Sequence, residues 1–228
     1  MILEDKFLTD ILKKKTGSLN LDNQHSINEL SKYDFIYSKS KINSNNITKA
    51  KNLNFYLVTT SVLFKLNNKF KKNYPNDKHV VIAKEEHLLQ MQDIAKKSFI
   101  HDRFHQDPNI PNKIASIIKK KWISNFFKNE RGHQCFLYLN NNVVEGFLLT
   151  LKKQNNVIID LIAVRESARG KGVGKKLINA MLNFYDGNLL EFKVETQINN
   201  MLSIKLYQTL GYQLSDYNLI WHYFKDKL

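Results

Sequence analysis

The chain has 228 residues, 43% hydrophobic and 25% charged, with two Trp, ten Tyr and 14 Phe; this excludes a disordered chain and allows one large domain or two small ones. A single cysteine, Cys135, excludes an internal disulfide, and no segment reaches the roughly 18 apolar residues that cross a bilayer. The formal net charge of +14 suits scattered surface lysines or the attraction of anionic ligands; with no basic–aromatic RNA-binding motif beside it, it makes no case for nucleic acid.

In chain order, Met1-Ile2-Leu3-Glu4-Asp5-Lys6 has no apolar run of a secretory signal behind it, so a cytoplasmic protein with no membrane insertion is expected. Residues 1–75 are expected to form a small N-terminal α/β domain, with apolar runs predicting strands at 33–37, 55–58 and 61–66. The charged stretch 71–78, which holds Pro75, is the expected linker. A second domain, 79–228, opens with a buried strand at Val80-Val81-Ile82-Ala83. Leu88, Met91, Ile94, Ala95 and Phe99 then share one helical face. Two prolines, Pro108 and Pro111, break the pattern, and a second helix follows through Ile114, Ile117, Ile118, Trp122, Ile123 and Phe126. Residues 136–139 and 143–151 read as a hairpin around Asn140-Asn141-Asn142. Further on, the pattern predicts a strand at 157–164, a glycine-rich turn, a helix carrying Val173, Leu177, Ala180, Met181 and Phe184, a strand at 190–196, and a helix at 200–210 ended by Gly211. Two closing strands are expected near 212–214 and 219–224. Trp221, Tyr223 and Phe224 suit either the core or a homodimer edge. The whole is a mixed α/β layer protein.

A weak internal echo runs through the chain. Leu53-Asn54-Phe55-Tyr56-Leu57, then Val62 and Phe64, matches Leu210-Gly211-Tyr212-Gln213-Leu214, then Leu219 and Trp221, at a constant offset of 157 residues. A real repeat would make the N-terminal unit a reduced copy of the fold's C-terminal half.

The densest chemical signal is the run from Asp160 to Lys175, in which a strand feeds Arg169-Gly170-Lys171-Gly172-Val173-Gly174 and a helix begins. Glycine lets backbone N–H groups approach a ligand and adopt positive φ, and a helix N-terminus adds its dipole and unpaired donors. The turn is thus an anion cradle suited to a pyrophosphate. It lacks the Walker spacing and the GxGxxG register of dinucleotide folds.

This turn resembles the acetyl-CoA motif of the GCN5-related N-acetyltransferase (GNAT) superfamily, Arg/Gln-x-x-Gly-x-Gly/Ala, with Arg169, Gly172 and Gly174 at the defining positions. The run 199–212, with Asn200, Leu206, Tyr207, Gly211 and Tyr212, is similar to that family's second signature. The resemblance covers about residues 80–228. It implies a mixed central sheet flanked by helices, acetyl-CoA as co-substrate, and no metal. It implies that backbone groups of Ile162, Ala163 and Val164 pair with the pantetheine arm, and that amides of Arg169, Gly170, Lys171, Gly172, Val173, Gly174 and Lys175 hold the pyrophosphate. Asn200 would touch the CoA arm, and Tyr207 would be the catalytic acid toward the leaving thiolate. A phenol of ordinary pKa near 10 can do this if well placed.

The segment 102–111 further resembles bacterial sugar-nucleotide N-acetyltransferases, the dTDP-fucosamine (dTDP-4-amino-4,6-dideoxygalactose) N-acetyltransferase family, whose members carry a small, partly GNAT-like N-terminal domain. That resemblance implies an amino-dideoxysugar linked to dTDP as the acceptor, a role in surface polysaccharide biosynthesis, and an acceptor pocket lined by Arg103, Phe104 and His105. Acetylation of another amine (protein, polyamine or aminoglycoside) and a catalytically silent CoA-binding module remain as alternatives. His101, His105, Asp160 and Glu195 are candidates for the base that deprotonates the amine. The seven histidines are dispersed without metal-ligand spacing, and Cys135 reads as a small buried hydrophobe in a strand.

Overall fold

The computed structural model of the chain describes residues 1–23, 26–67, 75, 77–185 and 191–225. The expected linker, 71–78, therefore lies outside the described residues except at Pro75, Asp77 and Lys78. Elements follow in the order β1 (Leu3–Glu4), α1 (Lys6–Leu12), β2 (Thr16–Leu19), α2 (Ile27–Leu30), β3 (Phe35–Ser40), α3 (Ser44–Asn52), β4 (Tyr56–Asn67) and β5 (Val80–Ile82). Next come α4 (Leu88–Ser98), α5 (Asn112–Phe127), β6 (Gln134–Asn140), β7 (Val143–Lys153), β8 (Asn156–Val164), α6 (Val173–Phe184), β9 (Glu191–Gln197), α7 (Met201–Thr209) and β10 (Gln213–Phe224).

Among the described residues the ten strands form one sheet in the order β1-β2-β3-β10-β4-β9-β8-β7-β6-β5. Strand β4, from the first of the two expected segments, lies between β9 and β10 of the second, antiparallel to both. Helices α6 and α7 pack on one face against Val62, Phe64, Leu66, Ile159, Phe192 and Val194. Helix α4 and Ile123 of α5 cover the other face over β6–β8, and α1 joins α5 there over β3 and β10. Strands β6 and β7 are thus covered on both sides. This is why Cys135-Phe136-Leu137-Tyr138 and Phe147-Leu148-Leu149 read as unbroken apolar runs instead of alternating ones. Their hairpin turns on Asn141 (φ 47) and Asn142 (φ 63), the left-handed pair that a two-residue turn requires.

The short strands expected at 55–58 and 61–66 are one strand, β4, and the two expected closing strands are one strand, β10. Each is carried past its polar middle by a single unpaired residue, Val58 in β4 and Ser215 in β10. These bulges let Thr59-Thr60 and Asp216-Tyr217-Asn218 stay in the ladder, where composition alone suggested a break.

The echo is structural. α3 and β4 coincide with α7 and β10 at the same 157-residue offset, element bounds included. Asn43 and Asn200 cap the two helices, accepting from Asn46 N and Ser203 N. Asn54 (φ 59) and Gly211 (φ 87) take the left-handed turn after each. Val58 and Ser215 are equivalent bulges, and Ser61 pairs with its own counterpart Asn218, at the centre of a local two-fold.

Candidate active site

β8 and β9 run parallel and are paired only from Asn156↔Glu191 to Ile159↔Val194. At the next residue β8 changes course. Leu161 pairs with Leu149 and Ile159 with Thr150, so Asp160 is an extra residue, a bulge. Its effect shows in the side chains: Val157 and Ile159 sit in the α6/α7 core, whereas Leu161 and Ala163 point into the α4/α5 core. A bulge bends and twists its strand. Beyond it β8 follows β7, β9 follows β4, and the two part. Among the described residues no strand pairs with the edge of Ile162, Ala163 and Val164 facing β9, and Arg169 Nε donates to Val164 O at 3.3 Å, so an extended ligand could add there as a strand.

At the end of this open edge, a single 3₁₀ turn (166–168) leads to the glycine turn. Gly170 and Gly172 both hold φ +78, and a Cβ built on either meets nothing within 4 Å, so the space over the turn is free. Gly172 is the N-cap of α6, and no side chain caps that helix. Its first turn holds no acidic residue, and Arg169, Lys171 and Lys175 are exposed around it. Cations at the positive end of a helix dipole cost about 0.3–1 kcal/mol each unless an anion lies between them. The residues fit a phosphate-bearing cofactor. Gly174 is small for another reason: its Cβ would stand 3.2 Å from Leu206 of α7, so the two helices meet closely there.

α7 descends into the same cleft. Asn200 accepts from Ser203 N and donates to Thr196 Oγ1 (3.0 Å), which fixes the start of the helix against β9. Tyr207, 2% exposed, packs between Phe64 and Tyr212 in the α6/α7 core. Burial raises its pKa, with a hydrogen bond to Ser203 pulling the other way, so the phenol remains a proton donor at neutral pH.

On the opposite face, the carboxylates near the parting strands have different surroundings. Both oxygens of Asp160 are taken by Arg131, from Nε at 2.7 Å and Nη2 at 2.5 Å. Glu195, the first β9 residue beyond the last β8 pair, is open to solvent and bonded to Lys39 Nζ at 2.6 Å. Lys41 forms a second ion pair with Asp216. Sequence reasoning did not single out Lys39 or Arg131. Both lie in polar stretches with no motif, and only the sheet order brings β3 toward β9.

The loop from 101 to 111 borders this face, tied to the start of α7 by Asn199 Nδ2 donating to Gln106 Oε1 (3.0 Å). Phe104 is 1% exposed and packs in the core with α5. His105 bonds Asp102 (2.7 Å) and Ser116, and His101 is half-buried. The guanidinium of Arg103 lies 3.8 Å from the Tyr37 ring centroid, against the N-terminal segment. Asp107 accepts from Tyr56 Oη, Asn109 N and His222 Nδ1, the last at 2.5 Å. Asp102 and Asp107 both titrate below the usual carboxylate range, since these partners outweigh burial. Lys119, buried 3.8 Å from Asp102 with Trp122 beneath it, is pulled down to about 8 by burial. Cys135 is buried, and burial pushes its thiol up.

The acetyltransferase (GNAT) family model matches residues 88–212. The spore coat polysaccharide biosynthesis protein SpsD of Bacillus subtilis (strain 168) is 26% identical over 144 residues, 59% of this chain and 47% of SpsD, so the chain matches about half of that relative's length. Among solved structures, a functionally unknown conserved protein from Staphylococcus epidermidis superposes with a TM-score of 0.64 at 10% identity, over 91% of this chain and 84% of that one. A tandem GNAT protein from the clavulanic acid biosynthesis pathway gives 0.58 at 9% identity, over 83% and 64%. With a match over more than half its length, the chain belongs to the GNAT acetyltransferase family.

Proposed function

We propose that the protein transfers the acetyl group of acetyl-CoA to the amine of a nucleotide-linked amino-dideoxysugar, with a dTDP-linked sugar as the first acceptor to test. The observation that carries the acetyl-transfer reading is the parting of β8 from β9 directly before an uncapped, glycine-lined helix N-terminus. Acetyl-CoA supplies the activated thioester. Amides of the 169–175 turn hold its phosphates, and the open edge of Ile162, Ala163 and Val164 aligns its arm. Glu195 receives the amine proton, directly or through water: Lys39 holds its Oε2 alone, whereas Arg131 holds both oxygens of Asp160 and Asp102 holds His105. Tyr207 gives its proton to the departing thiolate.

Three features support a sugar-nucleotide acceptor. The 102–111 segment resembles that family. SpsD is named for polysaccharide biosynthesis, which makes surface polysaccharide assembly the natural setting. Lys39 and Lys41 pair with Glu195 and Asp216, which weakens the attraction of these two carboxylates for a polyamine or aminoglycoside, while the +14 net charge favours an anionic acceptor.

The test is thiol release from acetyl-CoA with dTDP-amino-dideoxysugars, free amino sugars, polyamines, aminoglycosides and peptides. Release is expected with the nucleotide-linked sugars, falling by about 10²–10³ in kcat for Tyr207→Phe or Glu195→Gln. Turnover of another amine alone would discard the sugar-nucleotide acceptor, and tight acetyl-CoA binding without any turnover would discard catalysis.

A further inference from the structure

We propose that Arg131 is a positioning residue for the cofactor: by clamping the bulge at Asp160 it holds β8 away from β9 and so keeps the pantetheine edge open. The inference rests on reading that edge as the cofactor strand.

Asp160 has no partner on β7, and it is the residue at which pairing with β9 stops. A bulge leaves its extra residue outside the ladder, so its direction depends on what the side chain meets. Here the side chain is 9% exposed and meets a two-pronged guanidinium at 2.7 and 2.5 Å. A planar fork on a carboxylate fixes angle as well as distance. The fork has its own support. The guanidinium lies 4.7 Å from the Trp122 ring centroid on α5, and Arg131 N and Glu130 N both donate to Asn125 O at the end of that helix. Gly132, at φ +98, turns the chain directly into β6; a Cβ there would stand 2.7 Å from Phe126 and 2.8 Å from Leu149. Arg131 is thus set rigidly on the α5–β6 corner and grips the point where β8 bends. If the bulge relaxed, Ile162 and Val164 would exchange faces with Leu161 and Ala163, and the edge offered to the ligand would change with them.

The pair is too far along the strand to touch the glycine turn, and this separates its role from general stability. The experiment is calorimetric binding of two probes, acetyl-CoA and adenosine 3′,5′-bisphosphate, to the wild type and to Arg131→Met, Asp160→Asn and Arg131→Lys. The bisphosphate carries phosphates but no pantetheine arm. Acetyl-CoA affinity is expected to fall about tenfold in Arg131→Met and Asp160→Asn, and less in Arg131→Lys, which keeps the charge without the fork. Bisphosphate affinity should stay within twofold of the wild type in all three. Equal loss for both probes would make the pair a stability element only, and unchanged acetyl-CoA affinity in folded variants would overturn the clamp. Failure of the wild type to bind acetyl-CoA would instead remove the cofactor reading beneath it. Arg131→Lys serves if Arg131→Met does not fold.

Discussion

His222 is buried at 0% exposure on β10, gives its Nδ1 proton to Asp107 and, among the described residues, leaves Nε2 without a partner. Burial pulls its pKa from 6.5 down to about 4, Arg103 adds to the depression, and Asp107 opposes it. The folded form therefore keeps a neutral imidazole while the unfolded chain takes up a proton below pH 6.5. The stabilising contribution is complete above about pH 6.5 and is lost as pH falls toward 4. Between pH 7 and pH 5 this amounts to about 2 kcal/mol. Urea unfolding at both pH values should show that loss in the wild type and a correspondingly flatter dependence in His222→Gln. Equal slopes would mean that the imidazole is not held neutral. Asp107 was visible in sequence only as part of a resembling segment. Its partners Tyr56 and His222 lie 51 and 115 residues away, and nothing local in the chain announces them.

At the scale of elements, the glycine turn and α6 were readable because the signal is short-range: two glycines at positive φ followed by a helix with apolar residues at 173, 177, 178, 181 and 182. Gly172→Val should cost acetyl-CoA affinity about tenfold or more, since its Cβ enters the free space over the turn and its backbone resists φ +78. A calorimetric titration that left affinity unchanged would place the phosphates elsewhere. The strands from β5 to β9 were equally legible, since both-face burial and alternation follow from the residues themselves. The bulges were not. A polar residue such as Asp160 or Ser215 in a run is visible in the sequence, but that it is a bulge is defined only by the strand beside it, as for Val58. The first 30 residues show no readable periodicity either. α1 and α2 are only seven and four residues long, too short for periodicity to show, and each is held by a polar N-cap, Asp5 or Ser26.

Over the whole molecule, the repeat explains why an N-terminal segment of modest hydrophobicity folds at all: β4 has the sheet position and bulge of a second β10. It repeats the architecture without the residue proposed to protonate the thiolate. Ala50 stands where α7 has Tyr207, and Asn46 and Lys49 of α3 bond directly to Asp22 and to the Leu21 carbonyl after β2. What this half brings to the cleft is Lys39, and with it a sheet face on which Glu195 is neutralised. Such a face favours an acceptor that is not a polycation, and the binding energy of a nucleotide remote from the amine would be used to raise the rate of transfer. The most direct measurement is the ratio of kcat/KM for a dTDP-linked 4-amino-4,6-dideoxysugar to that for the same amino sugar without the nucleotide, both with saturating acetyl-CoA. A ratio of about a hundredfold or more in favour of the nucleotide-linked sugar is predicted; a ratio near one, or faster acetylation of the free sugar, would contradict the account.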